Sequence, residues 1–180
     1  MKLFRYGWLL LAVSIGLAGS SLAAAGETVD FAHDVLPVLS RFGCNASACH
    51  GKAEGQNGFK LSVFGTDPKA DREAIATHSR GRRIMPAAPE ESLFLRKASA
   101  SVPHAGGPRI KLGTPAYAVL RAWISEGAPY TLPERSDVTA VRVEPAERVM
   151  GFQQSQPLKV LAIFADGTER DVTWLATFQS

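Results

Sequence analysis

The chain contains only two cysteines, Cys44 and Cys49, and a histidine directly follows the second. They stand in Gly43-Cys44-Asn45-Ala46-Ser47-Ala48-Cys49-His50-Gly51, a C-x4-C-H pattern. Three chemistries suit such a cluster. The usual attachment signal for a c-type haem is C-x-x-C-H. Its logic is geometric: two thiols add across the two vinyl groups of one haem, and the adjacent His then reaches the iron from the proximal face. His50 directly follows Cys49, as that logic requires. The longer gap needs a bulged loop, which Gly43 and the small Ala46, Ser47 and Ala48 allow. The second chemistry is a disulfide, which an even cysteine count favours in an exported chain, although so short a loop gains little stability. The third is zinc held by Cys44, Cys49 and His50. That set is one ligand short, and neighbouring Cys49 and His50 are awkward for one tetrahedral ion.

Compartment and charge narrow the setting. Residues 1–25 read as a secretory signal peptide. Lys2 and Arg5 form its positive start, Trp8 to Ala18 its apolar stretch, and Ser21 to Ala25 its small-residue cleavage region. The apolar stretch is short for a ~20-residue bilayer span. The expected location is therefore periplasmic or secreted, with the membrane involved only in export. The full chain has 20 basic and 17 acidic residues, and losing Lys2 and Arg5 leaves it nearly neutral. No basic stripe for phosphates remains, which argues against nucleic acid as a partner. At 46% apolar and 21% charged the composition is that of a folded chain, not a disordered one.

Two units follow. Residues 26–133 predict short helices separated by Gly- and Pro-rich loops. Phe31, Val35, Leu36, Leu39 and Phe42 share a helical face, with Asp34 as the expected cap, Pro37 in the first turn and Gly43 as the stop. A second helix is expected from Asp67-Pro68 toward His78. A third should begin at Pro89, with Glu90 and Glu91 in its first turn and Arg96 and Lys97 in its last. The last helix should be capped by Thr114, with Pro115 at its first position, Gly127 beyond its end, and Ala116, Leu120, Trp123 and Ile124 buried. So thin a core would be helped by a bound cofactor. After a linker at residues 134–137, residues 138–180 alternate at period two and predict three strands. Val141 and Val143 lie on the first, Leu158, Val160, Ala162 and Phe164 on the second, and Val172, Trp174, Ala176 and Phe178 on the third. Asp166-Gly167 supplies the hairpin turn. Three strands fall short of the about seven of a sandwich, so the β unit reads as incomplete at Ser180.

The blocks along the first unit carry a resemblance. Phe31 to Leu39 gives Phe-x-x-Asp-Val-x-Pro-Val-Leu, and Gly43 to Gly51 the cysteine block. Asn57 to Ser62 gives Asn-Gly-Phe-x-Leu-Ser, followed by Gly81-Arg82-Arg83 and by Pro89-x-x-Ser92-Leu93. Val102 to Gly107 gives Val-Pro-His-x-Gly-Gly, and Leu120 to Pro129 gives Leu-Arg-x-Trp-Ile-x-x-Gly-Ala-Pro. Over about a hundred residues the chain resembles the c-type cytochrome domain at the N-terminus of large secreted proteins of planctomycetes and related bacteria. The x4 spacing is usual in that family. Residues 138–178, with Val-x-Pro and Phe-x-Asp-Gly-Thr-x-x-Asp-Val-Thr-Trp, resemble a bacterial Ig-like domain of group 2, which often follows that cytochrome domain. The resemblance implies a mainly α cytochrome c-like domain with long loops, then a partial all-β Ig-like sandwich. It also implies one haem c on Cys44 and Cys49, with His50 on the iron.

An electron-transfer haem usually takes a distal Met or His. His104 lies on a Gly-rich loop before the last helix and within the family block, which makes it the expected distal ligand. Met85, in Ile84-Met85-Pro86, is the alternative, because Met-Pro precedes the last helix in many small cytochromes. His33, His78 and Met150 are less suited: His33 precedes the cysteines, His78 sits in a polar run, and Met150 belongs to the β unit. Arg82 and Arg83 are candidates for pairing with haem propionates, or else form a solvated turn. Phe59, Leu61, Phe64, Leu112 and Trp123 are candidate pocket residues or ordinary core. Electron transfer to an unknown redox partner protein or domain is the leading function. No acid–base constellation accompanies the motif, so any catalytic domain would lie outside this chain. The alternative is a cell-envelope structural or adhesion module with a Cys44–Cys49 disulfide and an Ig-like binding domain.

Overall fold

The structure is a computed structural model and describes residues 28–130 and 137–179. The signal segment and most of the linker lie outside the described residues. The described residues build four short α-helices and then a three-stranded antiparallel sheet. No helix among the described residues is long and apolar enough to cross a membrane.

The first helix is entered differently from expectation. Asp30, not Asp34, is the cap: its side chain accepts from the His33 amide at 2.7 Å. A π-helical turn over Phe31–Val35 follows, and only then α1, Leu36–Arg41. Asp34 instead accepts from the Asp30 amide at 2.7 Å. Pro37, with no N–H to offer a preceding turn, sits where α1 begins. Beyond α1, Gly43 takes φ +72° and lets the Cys44 amide turn back to the Leu39 carbonyl at 2.8 Å.

Helix α2 is Pro68–Ala76, capped by Asp67, and it stops short of His78. There Ser79, Arg80 and Gly81 run consecutively through the left-handed region, with φ +57°, +62° and +68°. Successive left-handed residues are costly, so neighbouring groups must hold this turn. The charges expected in one helix from Pro89 divide between a 3-10 turn, Pro89–Glu91, and α3, Leu93–Ala98. Ser92 separates the two: its extended ψ of 125° breaks the helix, and its hydroxyl accepts from the Met85 amide. Helix α4, Pro115–Ser125, follows expectation in its Thr114 cap and its four buried residues.

These pieces surround one core. Trp123 is fully buried against Phe31, with ring centres 5.3 Å apart, and its indole N–H donates to the Pro129 carbonyl at 2.8 Å. Val35, Leu39, Leu61, Ile75, Leu95, Ile110 and Leu120 complete it.

In the sheet, β1 (Val138–Glu144) pairs antiparallel with β2 (Lys159–Phe164), and β2 with β3 (Glu169–Asp171). Gly167 makes the turn at φ +81°. The expected strand through Val172 to Phe178 does not form. The Asp171 carboxylate accepts from the Thr173 amide and hydroxyl, at 3.0 and 2.6 Å, and starts a 3-10 turn over Thr173–Leu175. Trp174 and Leu175 then pack on the helical core, and Arg170 pairs with Asp34. Val141 and Val143 are exposed, although Ala162 and Val160, their register partners on β2, are buried.

Candidate functional site

The cysteine loop is drawn together by its own backbone. Cys49 N–H donates to Ala46 O at 2.9 Å, His50 N–H to Cys44 O at 3.1 Å, and Gly51 N–H to Ala46 O at 3.0 Å. The bond from His50 to Cys44 brings the two ends of the x4 segment together, so the extra residues bulge as the spacing requires. Fully buried Asn45 anchors the loop by donating to Ser40 Oγ at 2.9 Å. Gly51 is dictated by space. A Cβ there would lie 2.2 Å from the Asn45 carbonyl oxygen, well inside contact distance.

Cys44 and Cys49 are free thiols, not joined to each other. Burial, with Cys49 nearby adding to it, pushes the Cys44 thiol up to about 11. Arg109 acts the other way, and its guanidinium stands 4.0 Å from Cys49 Sγ. No cluster of three or more His, Cys, Asp or Glu that could hold a metal ion occurs among the described residues.

Both thiols line a cavity of about 650 Å³, and so do His50 and His104. The two imidazoles have ring centres 6.3 Å apart and planes within 9° of parallel. A metal–imidazole bond is about 2.0–2.1 Å, so two imidazoles on opposite sides of one ion have ring centres roughly 6 Å apart. Each ring is also held by its other nitrogen. His50 Nδ1 donates to the Phe59 carbonyl and His104 Nδ1 to the Gly107 carbonyl, both at 2.9 Å. A carbonyl only accepts, so Nδ1 carries a proton in each ring, and the tautomer so selected leaves Nε2 as the nitrogen able to bind a metal. A hydrogen bond on the other ring nitrogen fixes the tautomer and orientation of an imidazole that binds a metal. Burial holds the His50 pKa below its ordinary value, with smaller Coulomb contributions from His104 and Arg83, against the Phe59 hydrogen bond. Gly106 packs under the His104 ring, where a Cβ would come within 2.9 Å of His104 Cε1.

The other sequence candidates divide. Met85 does not line the cavity; its side chain is 48% exposed, in a turn closed by Ala88 N–H on Met85 O. Nor do His33, His78 or Met150 line it: His33 is held by Asp30 at 2.9 Å, and His78 and Met150 are exposed. Arg82 and Arg83 both line it, Arg82 exposed and Arg83 buried. Of the apolar candidates only Phe59 reaches it. Leu61 and Trp123 belong to the core, while Phe64 and Leu112 face outward. Phe64, at φ +53°, is turned out by the loop that gives its amide to Asn45 O. Sequence reasoning missed Leu39, Phe94, Lys97, Arg109 and Ile110 as lining residues. Spacing gives Lys97 and Arg109 no signal, because α3 and the loop after His104 reach the cavity only in three dimensions.

The donor set fits a haem: two thiols, two imidazoles whose Nε2 is able to bind a metal, apolar walls, and the cations Arg82, Arg83, Lys97 and Arg109 with no carboxylate in the lining. Comparison with protein-family models, with curated proteins and with solved structures gives no match.

Proposed function

We propose that this chain holds one c-type haem covalently and passes electrons outside the cytoplasmic membrane. Its first unit would be a cytochrome c-like domain and its second a partial Ig-like domain. The observation that carries the reading is the pair of parallel imidazoles, each with its proton on Nδ1, in the cavity that both free thiols line.

Cys44 and Cys49 would each add S–H across one vinyl group, forming a C–S bond at one carbon and a C–H bond at the other. His50 and His104 would hold the iron through their imidazole nitrogens, and Arg82 or Arg109, both exposed beside the cavity, would meet the propionates. When bound, the haem supplies a one-electron iron couple. The protein's part is to fix both ligands in place, so that little reorganises when the charge changes. Two protein ligands also leave small molecules no open position, which separates this reading from a peroxidase-like enzyme. Bis-histidine ligation favours a lower potential than histidine–methionine ligation, since the thioether raises it.

The test is a visible spectrum and pyridine haemochrome of the protein exported by a host with cytochrome c maturation. A c-type haemochrome on the washed polypeptide is the expected result. A colourless protein whose thiols resist alkylation until reduced would replace this reading with the disulfide-bearing envelope module.

A further inference from the structure

Arg83 is set apart from the other cations of the cavity. It is 5% exposed, yet no carboxylate pairs with it among the described residues. Its Nη1 donates to Ala74 O and His78 O, each at 3.1 Å, and its Nη2 to Gly58 O at 3.4 Å. Its guanidinium lies over the Phe59 ring at 4.7 Å. These bonds hold the left-handed turn at 79–81 against the end of α2. Backbone carbonyls solvate a guanidinium without neutralising it, and Arg keeps its proton even when burial opposes the charge. The cavity therefore has a full positive charge built into its wall.

We propose that Arg83 is an electrostatic tuning residue of this site, a fixed buried cation that opposes further positive charge beside His50 and so raises the reduction potential of the group held there. The inference rests on the haem reading above. Its geometry is short and direct: Arg83 lies on Phe59, the Phe59 carbonyl takes the His50 Nδ1 proton, and the His50 and Phe59 ring centres are 4.4 Å apart. In a low-dielectric wall, such a charge acts more strongly than at the surface. A bis-histidine pair favours a low potential; the buried cation works against that tendency.

A purely structural role makes the opposite prediction. If Arg83 only steadied Phe59, its loss would weaken the carbonyl that makes His50 a more basic ligand, and the potential would rise or stay. Removal of the charge should lower it. The experiment is redox potentiometry of the haem-loaded protein and of Arg83→Met, Arg83→Gln and Arg83→Lys, with circular dichroism and the low-spin visible spectrum as controls. The Met and Gln variants should shift downward while keeping both control spectra, and the Lys variant, which keeps the charge, should stay near the parent. Arg83→Gln retains an amide donor for the Ala74 and His78 carbonyls, so it reads the potential even if Arg83→Met does not fold. A folded, low-spin Met or Gln variant with an unchanged or raised potential overturns the proposal and leaves the haem reading standing. A parent protein with no c-type haemochrome removes the haem reading itself.

Discussion

The imidazoles of His50 and His104 face the same cavity with planes 9° from parallel and centres 6.3 Å apart, although the two residues come from separate loops. Neither ring is free to turn, because Phe59 O and Gly107 O each hold an Nδ1 proton. The pair is therefore held in this arrangement by the protein's own backbone. Replacing His104 should break the pair without touching the attachment loop. In the haem-loaded His104→Ala protein the visible spectrum should change from low-spin to high-spin, and carbon monoxide should bind the reduced form. Met85→Ala should change neither, since that side chain points away from the cavity. An unaltered low-spin spectrum in His104→Ala would remove His104 as the distal ligand.

The two thiols can be tested separately from the ligands. The variant Cys44→Ala with Cys49→Ala should leave no haem on the polypeptide after acid–acetone extraction. Haem retained through that extraction would mean that neither sulfur is the point of attachment.

Some of this was legible in the order of residues and some was not. Thr114-Pro115 and the stripe of Ala116, Leu120, Trp123 and Ile124 fixed α4, because a cap, a proline and a 3.6-residue period agree there. That Cys44, Cys49 and His50 lie together was legible because they are close in sequence, and the structure places all three on one cavity. His104 could be singled out by its glycines, but its parallel approach to His50 depends on loops folding past each other. The contacts of Arg83, already a candidate by its charge, were hidden for the same reason: its acceptors Gly58, Ala74 and His78 lie 25, 9 and 5 residues away. The strand expected at Val172 does not form, because period two alone carries no sign of the Asp171 carboxylate, which draws the backbone into a turn.

Gly51 tests the attachment loop. A Cβ at this residue would meet the backbone oxygen of Asn45 at 2.2 Å, and a carbonyl fixed in a buried loop yields less easily than a side chain. Gly51→Ala should cost about 1–3 kcal/mol, the usual penalty of overpacking, read from urea unfolding. It should also lower the yield of attached haem, because His50 adjoins the displaced loop. Stability equal to the parent's would show that the loop relaxes freely. For comparison, Trp123→Ala should cost about 3–5 kcal/mol through the cavity it leaves in the core.

The haem-free protein should have a stability plateau bounded by two of its own site residues. At the acid side the group is His50, whose folded pKa lies below the ordinary 6.5, chiefly through burial. An unfolded chain then takes up the proton first, so stability falls as the pH drops below about 6.5. At the alkaline side the group is Cys44, pushed from its ordinary 9.0 up to about 11, chiefly by burial. Here the unfolded chain loses its proton first, so the stability that the buried neutral thiol contributes is complete below pH 9 and lost as pH rises toward 11. Urea midpoints measured across this range on protein made without haem should therefore be flat in the middle and fall at both ends. His50→Gln should flatten the acid limb, and Cys44→Ala the alkaline one. Covalent attachment removes the thiol proton altogether, so the haem-loaded protein should lack the Cys44 limb. If that limb persists in the loaded protein, or survives Cys44→Ala, its origin lies in another group.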